Sequence, residues 1–166
     1  MRPSFPSKEL LSALAASIAY DPETGDIWWA VDRGTKVKAG TPIKNRDSHG
    51  YVTFKCGGRN LKAHAAIWFL KTGKWPTVTV DHKNGVRDDN RWGNLREATY
   101  SQNECNKPKQ ARSIAKGVIK RGNRWSAGIR VNRKHYHLGT FDSLEEASAA
   151  YRSAALRLHG EFARAA

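Results

Sequence analysis

The stretch that most constrains this chain covers residues 80–106 and reads VDHKNGVRDDNRWGNLREATYSQNECN. Residues 77–80, which lead into this stretch, are all β-branched. They predict a strand that ends at the pair Asp81-His82. A segment rich in Asn, Gly and Asp follows, and these residues favour turns. Residues 95–98 then predict the second strand of a hairpin. A short polar helix completes the stretch.

Two starting points for that helix are compatible with the residues. Thr99 followed three positions later by Gln102 has the pattern of a capping box. Asn94 followed by Glu97 has it as well. The first alternative leaves residues 95–98 as a strand, whereas the second makes them helical.

The pair Asp81-His82 is suited to hydrolytic chemistry. Neighbouring residues of a strand point to opposite faces, so one side chain can hold a metal ion while the other addresses water. Asp81 offers a hard oxygen ligand, and an imidazole with an ordinary pKa near 6.5 can take a proton near neutral pH. The alternative is a surface hairpin whose Asp, Asn and Gly residues only make turns.

The net charge of the chain indicates which class of molecule it binds. The chain has 29 Lys and Arg against 15 Asp and Glu, a net charge of +14, which predicts attraction to nucleic acid. A basic ribonucleoprotein component would have the same balance of charges.

The two cysteines, Cys56 and Cys105, form no CxxC pair and indicate a reducing cytoplasm. Residues 10–20 are too short to span a membrane, so we expect a soluble protein without membrane contact.

Before the central stretch, the pattern predicts mixed helices and strands. Ser7 can cap a first helix, and residues 27–29, 51–55 and 61–63 read as strands. Residues 65–70 form an apolar run that predicts a buried helix. His64, next to this run, is most simply a hydrogen-bonded core residue.

The segments YDPETGDIWW, GYVTF, AHAAIWFLKTGKWP and VDH, followed by the NG, DN, NL and QNxxN motifs, resemble the HNH nucleases of phage and intron-encoded homing endonucleases. The resemblance implies a strand, a strand and a helix around one metal ion, and therefore favours the Thr99 cap. It implies Asp81 and Asn103 as metal ligands, His82 as general base, and Asn94 as the residue that pins the loop and orients the base. Many relatives have His at the position of Asn103, so this is an H-N-N variant. One carboxylate and one amide oxygen suit Mg²⁺ or Mn²⁺.

Within the same motif, residues 88–90 (Asp-Asp-Asn) are ambiguous. They could touch metal, but a turn in which Asn90 fastens the loop is the reading that we prefer.

The pattern changes after residue 107. Residues 107–116 (KPKQARSIAK) are basic and predict a linker that can follow a phosphate backbone. Residues 117–121, 124–131 and 135–141 read as three strands, with turns at 122–123 and 132–134. Ser143 and Glu146 form a capping box for a final amphipathic helix that ends at Gly160.

This C-terminal pattern resembles the AP2 DNA-binding domain through Gly117-Val118, Trp125 with Ala127, Ile129-Arg130, residues 138–141 and the helix from Glu145 to Tyr151. Such domains lay a three-stranded sheet in the major groove. The positions implied to reach DNA are Lys116, Arg121, Arg124, Trp125, Arg130 and Lys134. Trp125 can equally be a core residue. Ile119 and Gly128 depart from the plant family, so its base preference does not transfer.

We therefore predict an α+β protein with an HNH nuclease domain at 1–106 (ββα-metal core about 77–106), a basic linker at 107–116 and an AP2-like domain at 117–163. The predicted function is metal-dependent hydrolysis of double-stranded DNA, by nicking, by a monomer without an obligate protein partner. The expected setting is a phage or mobile element in a bacterial cytoplasm. The main alternative is a DNA-binding regulator that does not cleave.

Overall fold

A computed structural model describes residues 5–107 and 113–163, and its chain divides between Glu97 and Ala98 into two units. Within these residues, none of the helices has the length and apolar character needed to cross a bilayer. The mixture of helices and mainly antiparallel hairpins agrees with the predicted α+β class.

The first unit is built from two helices and three two-stranded hairpins. In chain order its elements are α1 (Lys8–Ser17), β1 (Ile18–Tyr20), β2 (Ile27–Trp29), β3 (Thr53–Cys56), β4 (Arg59–Lys62), α2 (Ala63–Thr72), β5 (Thr79–His82), a 3₁₀ turn (Trp92–Asn94) and β6 (Leu95–Ala98). Strand β1 pairs with β2, β3 with β4, and β5 with β6. One apolar core joins the helices to the hairpins, and Leu14 and Ile67 are completely buried in it.

The predicted first helix is confirmed. Leu10, Leu11, Leu14 and Ile18 recur at helical spacing, but the helix ends before Ile18. The Ser7 hydroxyl accepts a hydrogen bond from the Leu10 amide at 3.3 Å and caps α1. The helix ends at Ser17, and Ile18 opens a strand that pairs with Trp29. Ile18 fits the spacing of an apolar helical face and also has high strand propensity. The pairing partner therefore decides its conformation.

Strand β5 lies two residues later than predicted. Residues 77 and 78 are bends, and the strand covers Thr79–His82. The Lys83 amide still donates to the Asn94 carbonyl at 2.8 Å, directly after the strand. Asp81 and His82 are therefore the last two residues of β5, which pairs with β6. The position of the partner strand overrides the β-propensity of the residues before it.

The second unit contains a three-stranded antiparallel sheet in the order β7-β8-β9 and two helices. Its elements are α3 (Tyr100–Asn106), β7 (Val118–Arg121), β8 (Arg124–Val131), β9 (Lys134–Phe141), α4 (Leu144–His159) and a final 3₁₀ turn (Gly160–Phe162). The Ser143–Glu146 capping box of α4 is confirmed. Ala127 and Ile129 of β8 form a core with Ala147 and Tyr151 of α4.

Gly117 and the turn between β8 and β9 both adopt positive φ angles. Gly117 has a φ of 68°, and a Cβ atom there would lie 2.1 Å from the Tyr151 ring, so the ring lies directly on the backbone. The turn between β8 and β9 is formed by Asn132 and Arg133 alone, with φ values of 49° and 68°. It is one residue shorter than predicted, because β9 begins at Lys134.

Helix α3 lies in the second unit. The domain boundary at residue 106 stays a prediction. The Cys105 sulfur lies 3.2 Å from Nε2 of His159, and the Asn132 amide donates to the Ser101 hydroxyl at 3.3 Å. These contacts tie α3 to α4 and to the β8–β9 turn. Of the predicted linker, residues 108–112 lie outside the described part of the chain.

Candidate active site

Strand β5 carries two buried polar side chains in succession. Asp81 is 6% exposed and His82 is 4% exposed. A carboxylate buried to this extent needs a partner, and Oδ2 of Asp81 accepts hydrogen bonds from both Nε and Nη2 of Arg96, each at 3.1 Å. Arg96 comes from β6, the strand paired with β5, and is itself buried. The hairpin therefore holds Asp81 as a charged group inside the protein.

His82 lies in a polar and aromatic pocket of the same unit. Its Nε2 atom is 3.2 Å from Oδ1 of Asn90. Its ring meets the ring of His64 edge-on, with centroids 5.1 Å apart, and the Tyr51 ring lies 5.9 Å away. Burial lowers the pKa of His82, while the contact with Asn90 and the carboxylate of Asp81 oppose this shift. The imidazole is therefore neutral at neutral pH and can accept a proton.

Asn94 closes the loop between the two strands. Its Oδ1 atom accepts from the Asn84 amide at 3.0 Å. Its Nδ2 atom donates to Oδ1 of Asn84 at 3.0 Å and to the Asp89 carbonyl at 2.7 Å. Within the described residues these contacts join the two ends of the loop, and the amide that contacts His82 is that of Asn90. The role of Asn94 in orienting the base stays a prediction.

The acidic residues of the loop are bound by arginines. Asp89 accepts from Arg91 at 2.8 and 2.6 Å, and these hydrogen bonds lower the pKa of its carboxyl to about 2. Asp88 accepts from Arg46 at 2.6 Å. Both carboxylates therefore have arginine partners, Asp89 within the loop and Asp88 outside it. This agrees with the turn role that we preferred for them.

His64 is 7% exposed and lies against both Tyr51 and His82. Burial is the main cause that lowers its pKa to about 3, and the neighbouring His82 adds to the shift. The ring is therefore neutral at any pH at which DNA enzymes work. Its place in the packing around His82 is that of a core residue.

Asn103 lies on α3, in the second unit. Thr99 caps this helix, and both hydrogen bonds of the Thr99–Gln102 box are present. The alternative cap at Asn94 is wrong, because Asn94 ends a 3₁₀ turn and a strand follows it. The ligand role of Asn103 stays a prediction. Among residues 5–107 and 113–163 there is no group of three or more His, Cys, Asp or Glu side chains arranged to hold a metal ion.

The three-stranded sheet of the second unit has one basic face. Ala127 and Ile129 point towards α4, so the residues between and beside them point away from it. Arg130 pairs with His135 and Arg121 with Arg124 across the strands, and all four are exposed. A groove of about 690 Å³ in this unit is lined partly by this face. Its lining includes Arg121, Arg130, His135 and His137, together with Glu104, Lys107, Lys116 and, from α4, Tyr151.

The other predicted DNA contacts lie in different surroundings. Trp125 packs against the apolar core of the second unit and is only partly exposed. Lys116 donates from Nζ to the carbonyl groups of Cys105 and Lys107. Arg124 pairs with Asp142 at 2.8 Å. Lys134 is exposed at the start of β9. Arg121 and Arg130 are therefore the predicted residues that are exposed on the sheet face pointing away from α4.

Comparison with known proteins gives one family. Residues 61–105 match the family model described as HNH endonuclease. The matched stretch includes β4 to α3 and contains Asp81, His82, Asn94 and Asn103. An HNH endonuclease domain is thus present in this part of the chain, and it supports an HNH-type nuclease. No solved structure matches the chain.

Sequence reasoning missed Arg96 and the contact between Asn90 and His82. Arg96 follows Leu95 in β6, and both are buried although they are neighbours on a strand. A basic residue in the strand opposite Asp81 was a weak signal for such a pair. Which residues face each other depends on how β5 and β6 pair, and the sequence nearby does not specify that pairing.

Proposed function

We propose that this protein is a DNA endonuclease of the HNH type, in which His82 is the general base. The observation that carries the proposal is the state of His82. It is a buried and neutral imidazole beside Asp81 on strand β5, inside the segment that matches the HNH endonuclease family. Such a group is suited to removing a proton from water near neutral pH.

The proposed reaction is hydrolysis of one phosphodiester bond. His82 takes a proton from a water molecule, and the water oxygen forms a bond to phosphorus as the bond from phosphorus to the 3′ oxygen breaks. The 3′ oxygen leaves with the bonding electron pair and is protonated from solvent. The products are a 5′-phosphate and a 3′-hydroxyl, and His82 then returns its proton to solvent.

The chemistry of the two proposed ligands fits a hard divalent cation. Asp81 and Asn103 would supply one carboxylate and one amide oxygen, a donor set that favours Mg²⁺ or Mn²⁺. When bound, the cation supplies a Lewis acid for the scissile phosphate. The two hydrogen bonds from Arg96 hold the Asp81 carboxylate in a fixed direction.

Positive charge close to His82 favours a phosphate substrate. The Lys62 ammonium lies 4.0 Å from the centre of the Tyr51 ring, and the Arg87 guanidinium lies 5.3 Å from it. The same ring contacts His82. A DNA backbone that approaches His82 therefore meets two cations that are held against an aromatic side chain.

We propose that the basic sheet face of the second unit binds duplex DNA, as the resemblance to AP2 domains implies. Arg121 and Arg130 are the contacts best supported by exposure. A sheet can enter the major groove and present side chains to base edges. The protein would then act as a monomer that nicks one strand, in the manner of a phage-type homing endonuclease.

Conversion of supercoiled plasmid tests the nuclease activity. Wild type should nick DNA with Mg²⁺ or Mn²⁺ and not with EDTA, and His82→Ala should lose activity by at least about 100-fold while it keeps DNA affinity. His49→Ala is the matched control, because His49 is an exposed histidine of the same unit. Tight binding without cleavage by wild type on several DNAs would favour the regulator instead.

A further inference from the structure

Two hollows lie beside strand β3 on the surface of the first unit. The larger has a volume of about 710 Å³ and the smaller about 390 Å³. Both are lined by Asn45, Phe54 and Lys55. The two hollows therefore adjoin, and together they make up what we call the β3 groove. Its cationic lining residues are Arg33, Lys44, Lys55 and Lys62.

One wall of the β3 groove is the segment 41–45, which hydrogen bonds hold in place. The Trp29 amide of β2 donates to the Thr41 carbonyl at 3.0 Å, and the Thr53 amide of β3 donates to the Asn45 carbonyl at 2.8 Å. The segment is thus bound to both strands. Because the wall is already formed, a ligand can bind there without having to order the backbone.

Arg33 is also held in position. Its guanidinium carbon lies 3.9 Å from the centre of the Trp29 ring, and Nη1 donates to the Lys55 carbonyl at 2.7 Å. A guanidinium has five N–H donors, and this hydrogen bond uses one of them. The cation can therefore bind a phosphate oxygen while it keeps its place on the tryptophan.

Positive charge dominates the β3 groove. Among its described lining residues there is one carboxylate, that of Asp47, against four cations. Oδ1 of Asp47 accepts from the amides of His49 and Tyr51 at 2.9 and 3.0 Å. A ligand that matches this charge is a polyanion. The buried side chains of Trp29 and Phe54 add apolar surface to the lining, which suits the sugar rings between the phosphates of a nucleic acid.

The β3 groove leads towards His82. Lys62 lines its smaller part, and the Lys62 ammonium lies 4.0 Å from the centre of the Tyr51 ring. The same ring lies 5.9 Å from the ring of His82. All of these residues belong to the first unit. A strand that lies in the groove therefore passes close to the proposed general base.

We propose that the β3 groove binds the sugar-phosphate backbone of duplex DNA next to the bond that is cut, with Arg33, Lys44, Lys55 and Lys62 as the phosphate contacts. The placement beside the cut rests on the proposed action of His82 on DNA. Contacts to phosphate carry no sequence information. The groove thus supplies affinity and register, in addition to the sheet face of the second unit.

Lysine acetylation of the full chain tests this site without any cleavage. The protein is acetylated in EDTA with and without duplex DNA, and mass spectrometry of its peptides gives the rate at each lysine. With DNA at about ten times its Kd, roughly a tenth of the protein stays free, so acetylation of Lys44 and Lys55 should slow by about 10-fold. Lys8 and Lys74 are exposed lysines of the same unit outside the groove and should react at an unchanged rate.

A pair of variants with equal charge tests the same contacts by affinity. Lys44→Gln with Lys55→Gln and Lys8→Gln with Lys74→Gln each change the net charge from +14 to +12. The slope of log affinity against log salt should fall by about 1.8 for the groove variant. It should stay nearly unchanged for the control variant.

The outcomes separate this proposal from the nuclease function. Unchanged acetylation of Lys44 and Lys55 with DNA, or equal salt slopes for the two variants, would overturn the groove as a DNA site, even if wild type nicks plasmid. Protection of these lysines by polyglutamate and not by DNA would also overturn it and would indicate an acidic protein segment. If DNA protects them but wild type nicks no plasmid with Mg²⁺ or Mn²⁺, the groove stands as a DNA site and the nuclease function is wrong.

Discussion

At the scale of single residues, the pair of Asp81 and Arg96 shows how a charged group is kept inside the protein. The side chains are 6% and 9% exposed, respectively. Removing one partner of such a pair leaves the other charge buried. We therefore expect Arg96→Met to lower the free energy of unfolding by about 3–5 kcal/mol. Urea unfolding without metal measures this change.

A double-mutant cycle separates the pair from its surroundings. The combination Asp81→Asn with Arg96→Met removes both charges. It should recover most of the free energy of unfolding that Arg96→Met alone loses. If instead the effects of the two single variants add, the two side chains are not coupled and Arg96 does not hold the carboxylate.

His64 should make the stability of the first unit depend on pH. Its pKa is about 3 in the folded protein, against 6.5 for the ordinary ring, so the unfolded chain binds a proton that the folded chain does not. The contribution of this group is complete above pH 6.5 and is lost as the pH falls from 6.5 towards 3. Urea unfolding between pH 7 and 4 should show a weaker fall for His64→Phe than for wild type. The exposed His49→Phe should follow wild type, and equal slopes for all three proteins would contradict the assignment.

Residue roles could be predicted from the sequence only where one segment carries them. Asp81, His82 and Asn94 belong to one motif, and their spacing was enough to propose a site. The partners of the first two residues were not predictable in this way. The contact of Asn90 with His82 depends on the path of the loop and on the turn at 21–25, far away in sequence. Arg96 meets Asp81 only through strand pairing.

At the scale of elements, capping signals predicted helix starts better than β-propensity predicted strands. Ser7, Thr99 and Ser143 each accept the expected hydrogen bond at the start of a helix. A cap is a local interaction, so the sequence nearby is sufficient to specify it. Strands β1 and β5 depend on partners elsewhere in the chain, and these were missed or displaced.

The β8–β9 turn provides an element-scale prediction. Arg133 has a φ of 68°, and this conformation is unfavourable for residues other than glycine, with Asn as a partial exception. We expect Arg133→Gly to raise the free energy of unfolding by up to about 1 kcal/mol, because two-residue turns of this kind favour Asn-Gly. Thermal or urea unfolding measures it.

The comparison variant is Gly122→Ala in the turn between β7 and β8. Gly122 has a φ of 60°, and a Cβ atom there would meet nothing within 4 Å, so only the backbone conformation is changed. It should lose about 1 kcal/mol of stability. A loss of stability in Arg133→Gly would show that the arginine side chain outweighs the strain of its backbone.

At the scale of the whole molecule, the chain combines two units that each have a hydrophobic core. The Asp81-His82 pair belongs to the first unit, and the basic sheet face belongs to the second. Composition alone predicted attraction to nucleic acid from the charge of +14, but it did not show where the charge is displayed. Side chains alternate along β8, and its core contacts with α4 fix which of them point away from that helix. The positive charge is displayed on that outer face of the sheet.

If the sheet face binds DNA, the position of a positive charge should matter more than its number. Arg121→Gln with Arg130→Gln removes two charges from the sheet face. Arg152→Gln with Arg157→Gln removes two exposed charges from α4, so both variants change the net charge from +14 to +12. Each phosphate contact contributes roughly 0.9 to the slope of log affinity against log salt.

Fluorescence anisotropy with duplex DNA at several salt concentrations measures this slope. It should be reduced by about 1.8 for the sheet variant and nearly unchanged for the α4 variant. Equal reductions in both would mean that attraction is general and that the sheet face is not the DNA site.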